Sequence, residues 1–318
     1  MPAMRAALLL LILTAACPGG PQDVQLSPPA SGFQLATEPF EVPSGQEVQR
    51  CYFFKVPGTG TDPLWVTRLV AAVNTGSHHM NIFRVKTVHA LDGNQGDVVD
   101  GGECWKSSNW ADWPLVMNSQ EGGNTVDWKL PDGVAHKFTP GEKLMLQIHF
   151  VNAATQKTPG RGKGIINFEK GDPTRTYAEL GTVFATDQNL RICPGDTNKA
   201  FALTCRFARQ PVTILAANGH FHSRGVKFEM AVSDAQNNAG GLFYTSSSWS
   251  DPLFLHDLTE QVPQGGGVFF RCTYTMPASD CADAADACCA TFGGHVETQE
   301  HCNAFVYYYP KLDDASCF

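Results

Sequence analysis

The chain has 318 residues, a formal net charge of −8, and only 17% charged residues. No basic run of any length occurs, which argues against nucleic acid as a partner. The length predicts about two domains of roughly 150 residues each.

The N-terminus predicts export. A basic residue and the apolar run AALLLLILTAA precede Cys17, which indicates a signal peptide over residues 1–16. The residues before Cys17 are similar to a bacterial lipobox, although Thr14 stands where an aliphatic residue is usual. Lipidation of Cys17 is therefore the first expectation, with plain secretion as the alternative, and membrane contact is expected only through that lipid. The Pro/Gly/Ser-rich segment that follows predicts a flexible tether over residues 17–35.

The next elements in chain order are short strands. Alternating or apolar runs such as CYFFKVP, KLMLQIHFV and GVFFRCTYT are bounded by Gly, Pro, Asn and Asp, and helical periodicity is scarce. This pattern predicts an all-β protein of two sandwich-like domains in tandem, over residues 36–172 and 173–318. The segment CADAADACC fits either a short helical turn or a disulfide-bonded loop.

Cysteine usage agrees with export. Ten cysteines remain beyond Cys17, and an even count in an exported chain predicts up to five disulfides. No CxxC pair is present, so a thiolate metal site is disfavoured. The expected compartment is extracytoplasmic and oxidising.

The first histidine motif is SHHMNIF, in which His78 and His79 lie within an apolar, strand-like run. Consecutive strand residues point to opposite faces. For both rings to bind one ion, the strand must bulge or the rings must use different nitrogens. His149, at the end of LMLQIHF on the same face as Gln147, is the candidate third ligand, although alone it also fits a buried structural histidine.

The second motif is NGHFHSRG. Positions i and i+2 of a strand share a face, so His220 and His222 can bind one metal ion, while two polar residues on a solvated face are the competing interpretation. Neutral imidazole suits zinc, copper, iron and nickel, and the lack of nearby carboxylates argues against magnesium and calcium. The sequence thus predicts one histidine site in each domain.

In this order, four motifs resemble the copper type II, ascorbate-dependent monooxygenases. They are His78-His79-Met80, Leu146-Gln147-Ile148-His149, His220-Phe221-His222, and the segment from His301-Cys302-Asn303 to three tyrosines. The resemblance runs from about Cys51 to Cys317. It implies two jelly-roll-like domains, each holding one copper ion, and disulfides Cys51–Cys104, Cys205–Cys317 and Cys272–Cys302. The pairing of Cys193, Cys281, Cys288 and Cys289 stays open.

By the same resemblance, each copper ion has its own ligands. The electron-supplying copper would be bound by His78, His79 and His149. The copper that activates dioxygen would be bound by His220, His222 and His301. Gln147 and Asn303 would orient substrate or water in the pocket.

Two departures from the family pattern bear on activity. His301 stands where the family has a methionine thioether, and imidazole is the harder ligand, which favours Cu(II). His295 is the alternative ligand for this position, in which case His301 would be an exposed loop histidine. In peptide-hydroxylating members an arginine and a tyrosine hold the substrate carboxylate, and the matching positions here are Asn218 and Phe305. Without the guanidinium, a peptide ending in glycine is not expected as substrate.

The function predicted from the resemblance is a copper-dependent monooxygenase. It would hydroxylate a C–H bond of a small organic substrate with dioxygen, using ascorbate or a similar one-electron donor and two copper ions per chain. The alternative is an envelope copper-binding lipoprotein, for sequestration or sensing, with weak or no turnover. A structural β-protein whose histidines only satisfy hydrogen bonds is the third interpretation.

Overall fold

The computed structural model describes residues 23–86, 96–100, 104, 113–119, 124–152, 159–250, 252–280, 288–312 and 315–317. The predicted signal peptide and Cys17 lie outside the described residues. So does most of the CADAADACC segment, since only its last two residues are described.

The described residues are almost entirely β-structure, which confirms the predicted all-β class. Here the first half means residues 23–179 and the second half residues 181–317. The strands of the first half are β1 (Gly32–Ala36), β2 (Phe40–Val42), β3 (Glu47–Lys55), β4 (Leu64–Val73), β5 (Ser77–Arg84), β6 (Val98–Asp100), β7 (Leu115–Asn118), β8 (Thr125–Lys129), β9 (Val134–Phe138), β10 (Lys143–Val151), β11 (Gly160–Gly162), β12 (Gly164–Lys170) and β13 (Ala178–Glu179).

The second half continues in the same manner, with one 3₁₀ turn at Ala278–Asp280. Its strands are β14 (Gly181–Thr186), β15 (Arg191–Ile192), β16 (Lys199–Arg206), β17 (Val212–His220), β18 (Gly225–Ser233), β19 (Ala239–Ser246), β20 (Phe254–Leu255), β21 (Glu260–Val262), β22 (Gly267–Tyr274), β23 (Ala290–Thr291), β24 (Asn303–Tyr309) and β25 (Ala315–Cys317).

Each half has two larger sheets and one two-stranded sheet. In the first half the larger sheets have the orders β1-β12-β4-β9-β13, with β8 on β4, and β6-β3-β10-β5-β7. In the second half they have the orders β20-β17-β24-β14-β25, with β21 on β17, and β16-β22-β18-β19. No sheet among the described residues takes strands from both halves. Because β13 pairs with β9, the chain changes sheets at Leu180. The domain limits 36–172 and 173–318 stay a prediction.

The predicted tether is too long. Val24 N donates to Asn74 Oδ1 at 2.9 Å, and Asn167 Nδ2 donates to the Ser27 carbonyl at 2.8 Å. Phe33, on β1, stacks on Phe168 with ring centroids 4.3 Å apart. The prediction of a flexible tether over residues 17–35 is therefore wrong from residue 23 onward, because an alternating strand there buries its apolar face on the first sheet.

Aromatic side chains join the two halves. The Trp128 ring, on β8, packs edge-on against Tyr307 and Phe254 of the second half, at centroid distances of 4.7 and 5.5 Å. All three rings are buried. Edge-to-face aromatic pairs add about 0.5–1.5 kcal/mol each to the burial of apolar area. This packing holds the strand ends of the halves against each other.

Four disulfides stabilise the described residues. Cys51–Cys104, Cys205–Cys317 and Cys272–Cys302 form as the resemblance implied. Cys193 pairs with Cys289. Cys288 is also disulfide-bonded, and Cys281 lies outside the described residues.

The disulfides indicate an extracytoplasmic protein. A search of the described residues for a helix with the length and apolar character of a membrane span finds none.

Candidate metal centre

A β-bulge brings His78 and His79 to the same side of their strand. On β5, His79 lies opposite His149 of β10, and Ser77 lies opposite Phe150, so His78 is the extra residue between the two pairs. An extra residue rotates the strand locally and lets consecutive side chains share a face. The two rings lie 5.1 Å apart between centroids. A bulge, one of the arrangements expected for two adjacent histidine ligands, is therefore present.

The strand register then places His149 beside this pair. The His149 ring is 5.3 Å from His78 and 5.2 Å from His79, measured between centroids. The next pair along the same face is polar too: Gln147 Oε1 accepts a hydrogen bond from Asn81 Nδ2 at 3.1 Å. Gln147 is fully buried in this ladder, and its role toward substrate stays a prediction.

In the second half, three histidines meet where two neighbouring strands lie in register. His220 is the last residue of β17 and lies opposite Asn303, the first residue of β24. His222 follows β17 and His301 precedes β24. The ring of His220 is 5.2 Å from His222 and 5.3 Å from His301, and the His222 and His301 rings are 4.4 Å apart. Asn303, the other predicted pocket residue, is thus buried directly beside His220.

The histidines of the two halves lie in contact. Measured between ring centroids, His220 of the second half is 5.2 Å from His78 and 5.4 Å from His79, and His222 is 5.9 Å from His78. We call the six side chains together the histidine cluster: His78, His79, His149, His220, His222 and His301. It lies between the halves, and none of its members is more than 7% exposed.

Two groups in the cluster are compact enough to hold a metal ion. In each, one ligand atom per residue lies within 4.8 Å of the others: His78, His79 and His220 form one group, and His220, His222 and His301 form the other. Within the described part of the chain, His149 belongs to neither group. His220 belongs to both.

Burial keeps these rings neutral. It lowers the pKa of His78, His79, His220 and His301 well below 6.5, and it lowers the pKa of His222 to about 3. Neighbouring imidazoles reinforce the effect on His78 and His220. Neutral imidazole is the form that binds transition metals, so these five rings are in their ligating state at pH 7.

Hydrogen bonds fix the orientation of His222. Its Nδ1 lies 3.0 Å from the Gln299 carbonyl, which only accepts, so Nδ1 carries the proton. The buried Nε2 of His222 has no hydrogen-bond partner among the described residues. A carbonyl on one ring nitrogen with the other left open is the usual arrangement for a metal-ligating histidine. The residues present thus fit a metal ion that prefers nitrogen ligands.

The buried carboxylate of Glu300 binds the backbone of the segment that carries His222. Glu300 accepts hydrogen bonds from the backbone N–H groups of His222, at 2.9 Å, and Arg224, at 2.8 Å. Burial raises the pKa of Glu300 to about 7 in spite of these bonds. Tyr274 donates to the carbonyl of His301, and the Cys272–Cys302 disulfide ties the next residue to β22. His301 is therefore held on both sides.

Glu47 contacts a histidine in each half. Its Oε2 lies 3.3 Å from His149 Nε2, and its Oε1 lies 2.8 Å from His295 Nδ1. Burial alone would raise the pKa of Glu47, but the hydrogen bonds to the two histidines outweigh it and lower the pKa to about 2. The His295 side chain is 63% exposed and outside both compact groups. His301, and not His295, is the residue that joins His220 and His222.

A cleft opens between the halves next to Glu47. Its volume is about 460 Å³, and its lining residues are Gly45, Gln46, Glu47, Val151, Asn152, His295, Glu297 and Thr298. The Trp249 ring also contacts the cluster, with its centroid 5.7 Å from that of His78. The sequence did not point to Glu47, Glu300 or Trp249. Glu300 has a local signal, since it directly precedes His301, whereas Glu47 and Trp249 approach the cluster only through the tertiary fold.

Comparison with known families agrees with the geometry of the second half. Residues 177–318 match the family model described as copper type II ascorbate-dependent monooxygenase, C-terminal domain. The resemblance predicted from the motifs is confirmed there. The match includes His220, His222 and His301. No curated protein matches the chain.

Solved structures give weak likenesses only. The cryo-EM structure of Broad Bean Stain Virus aligns with 98% of this chain and 100% of its own, at 8% identity and a TM-score of 0.33. The major capsid protein P2 of bacteriophage PM2 aligns with 87% of this chain and 97% of its own, at 10% identity and a TM-score of 0.26. The scores are low, and nothing about this protein is concluded from them.

Proposed function

We propose that this protein is a copper-dependent monooxygenase that hydroxylates a C–H bond of a small organic substrate, with dioxygen and a one-electron donor such as ascorbate. The observation that carries the proposal is the histidine cluster, six buried imidazoles drawn from both halves, five of which form the two compact groups. The family match over residues 177–318 favours copper over the other metals that imidazole binds. Copper would supply the redox chemistry there.

The protein's own contribution is to hold and shield the cluster. Gln299 and Glu300 fix His222, the disulfide and Tyr274 fix His301, and Glu47 fixes His149. Burial excludes bulk water, which protects a reactive oxygen species from side reactions. A cluster held in this way meets the geometric requirement that ligands be set before chemistry begins.

The substrate we propose is small and is not a peptide held by its carboxylate. Asn218 donates to the Leu253 carbonyl at 3.1 Å, and Phe305 stacks on Phe184. The two are cross-strand partners inside a packed sheet, and neither offers a cation to a carboxylate. The cleft beside Glu47 is the proposed approach for substrate or reductant, since Glu47 lies between it and His149.

A second candidate function is copper binding without turnover. The observation that favours it is the third imidazole in the second compact group, His301 in place of a thioether. Imidazole stabilises Cu(II) relative to Cu(I), which lowers the reduction potential. An extracytoplasmic protein with such a site could sequester or sense copper.

Oxygen uptake distinguishes the two functions. Copper-loaded protein is supplied with ascorbate and a panel of small substrates, while oxygen, peroxide and products are measured. Oxygen consumed in step with a hydroxylated product is expected for the monooxygenase. Tight copper binding without coupled product would leave the binding function instead. The variant His301→Met is the companion test, because a thioether should raise the potential and any coupled rate.

A further inference from the structure

We infer that Phe292 is a positioning residue for His301, whose ring it holds in the direction needed to bind the metal ion of the second compact group. The inference rests on the proposal that the cluster binds metal, and it leaves the ligands unchanged. The starting observation is a ring contact: the Phe292 and His301 rings lie 5.0 Å apart between centroids, with their planes 42° apart. Rings in contact prefer particular relative orientations, so one ring restricts the rotation of the other.

The backbone around Phe292 keeps its ring beside His301. Phe292 forms a parallel β-bridge with Glu300. Glu300 N donates to the Thr291 carbonyl at 2.9 Å, and Gly293 N donates to the Glu300 carbonyl at 3.1 Å. Because Glu300 directly precedes His301, this bridge fixes the relative position of the two rings.

A disulfide outside the cluster holds the start of the same segment. Cys289, three residues before Phe292, is bonded to Cys193. The strand β15 ends directly before Cys193, β23 begins directly after Cys289, and the two strands pair with each other. The segment that carries Phe292 is therefore held at both ends, by the disulfide before it and by the bridge to Glu300 after it.

Phe292 acts on His301 in a different way from the supports described above. Tyr274 donates to the backbone carbonyl of His301, and the Cys272–Cys302 disulfide holds the next residue, so both act on the backbone. Phe292 contacts the ring itself. An imidazole binds a metal ion through a nitrogen lone pair in the ring plane, and groups that orient a ligating ring therefore affect metal affinity.

Zn²⁺ titration of a variant that keeps only the second compact group tests this role. The full chain with His78→Ala and His79→Ala is titrated by calorimetry, and one equivalent is expected to bind. Adding Phe292→Leu should weaken binding about 3- to 10-fold, the range that one aromatic pair covers, whereas Phe292→Tyr keeps the ring and should bind within about 2-fold. Any result in which Phe292→Leu does not bind more weakly than Phe292→Tyr would overturn the inference.

Phe207 offers a matched control for the loss of an aromatic ring. It is half-buried like Phe292, and its ring lies at the same centroid distance, 5.0 Å, from Tyr308 in place of a histidine. Phe207→Leu should lower stability in urea unfolding and leave Zn²⁺ affinity within about 2-fold, because distant sites act independently. A loss of affinity as large as that of Phe292→Leu would mean that both act through general destabilisation, and it would contradict the positioning role.

A double-mutant cycle tests whether the disulfide acts through Phe292. In the same background, Cys193→Ala/Cys289→Ala should weaken Zn²⁺ binding while Phe292 is present. It should add less than about 2-fold once Phe292→Leu has been made, because residues that act together are not additive. Fully additive losses would rule out the route through Phe292.

Electron paramagnetic resonance supplies a readout that does not depend on stability. With one equivalent of Cu²⁺ bound to the second compact group, Phe292→Leu should change the copper hyperfine splitting and Phe207→Leu should not. If the background protein binds neither Zn²⁺ nor Cu²⁺, the proposed function fails together with the inference. If it binds them and Phe292→Leu changes neither the affinity nor the spectrum, only the inference fails.

Discussion

Glu47 and His295 pair across the two halves of the protein, with Oε1 of the carboxylate 2.8 Å from Nδ1 of the ring. The second carboxylate oxygen is 3.3 Å from Nε2 of the buried His149. One side chain of β3 thus connects the edge of the histidine cluster with a loop of the other half. Its two contacts differ in exposure, so their energies should differ.

Substitution of Glu47 should therefore cost more than substitution of its exposed partner. Glu47→Ala leaves the Nε2 proton of buried His149 without its acceptor, at a cost of about 1–3 kcal/mol. His295→Ala removes an exposed contact worth at most about 1 kcal/mol. Urea unfolding of metal-free protein measures both. His256→Ala is the control, because His256 is exposed and forms its ion pair with the adjacent Asp257, so little change is expected. Equal losses for Glu47→Ala and His295→Ala would contradict this account.

The Cys272–Cys302 disulfide should matter for metal affinity as well as for stability. The bond closes a loop over a sequence separation of 30 residues, which predicts a loss of about 3–4 kcal/mol when both cysteines become alanine. Because Cys302 adjoins His301, we also expect weaker metal binding in the second compact group. Calorimetric titration of the refolded variant with Zn²⁺ measures this.

A second disulfide provides the matched control for that prediction. Cys205–Cys317 spans a sequence separation of 112 and adjoins no histidine of the cluster, so its removal should cost about 4–5 kcal/mol of stability with metal affinity unchanged. If both variants bind Zn²⁺ like the unmodified protein, the disulfide does not position His301.

Glu300 should be needed for the conformation of the His222 segment. Glu300→Ala leaves two backbone N–H groups without their carboxylate acceptor, those of His222 and Arg224, at about 1–3 kcal/mol each. Glu300→Gln keeps the shape and one strong acceptor, so it should lose less than half as much. Urea unfolding gives the stability, and Zn²⁺ titration gives the affinity of the second compact group. Loss of affinity in Glu300→Ala with partial rescue in Glu300→Gln is the expected pattern; equal effects would argue against a positioning role.

Local pattern was sufficient to predict part of this site. Strand alternation predicts a bend, a bulge or the use of different ring nitrogens if His78 and His79 are to bind one ion, and the register of β5 against β10 has a bulge. The i, i+2 spacing of His220 and His222 likewise brings the two rings within 5.2 Å. Each of these relationships involves only one or two strands, so it can be predicted from the local order of residues.

Relationships between distant strands were beyond such prediction. Glu47 and His149 are separated by 102 residues and meet because β3 and β10 pair, while His220 reaches His78 only because the two halves pack. The strand β13 was equally beyond reach, since two residues have no periodicity of their own. The tether was overextended because its Pro/Gly/Ser composition conceals the alternation of Phe33 and Leu35.

The stability of the metal-loaded protein should retain an acid dependence that comes from His136. This ring is buried on β9 against Trp128, and burial, with a smaller effect of the charges on Arg84 and Lys311, lowers its pKa well below 6.5. The unfolded chain protonates His136 near pH 6.5 and the folded protein does not. The stabilisation is therefore complete above pH 6.5 and declines as the pH falls, by about 1.4 kcal/mol per pH unit, until the folded pKa is reached.

His136→Leu removes that titration, so the comparison with the unmodified protein isolates it. Unfolding free energies of the two Zn²⁺-loaded proteins are measured by urea titration between pH 7.5 and about pH 5.5, a window chosen around the unfolded pKa. The difference between them should be constant above pH 7 and should shift in favour of the variant below about pH 6.5. His256→Leu, at an exposed site, is the matched control for the substitution itself. Parallel curves for His136→Leu and the unmodified protein would show that the folded protein accepts the proton, which a ring buried between Trp128 and Phe138 should not do.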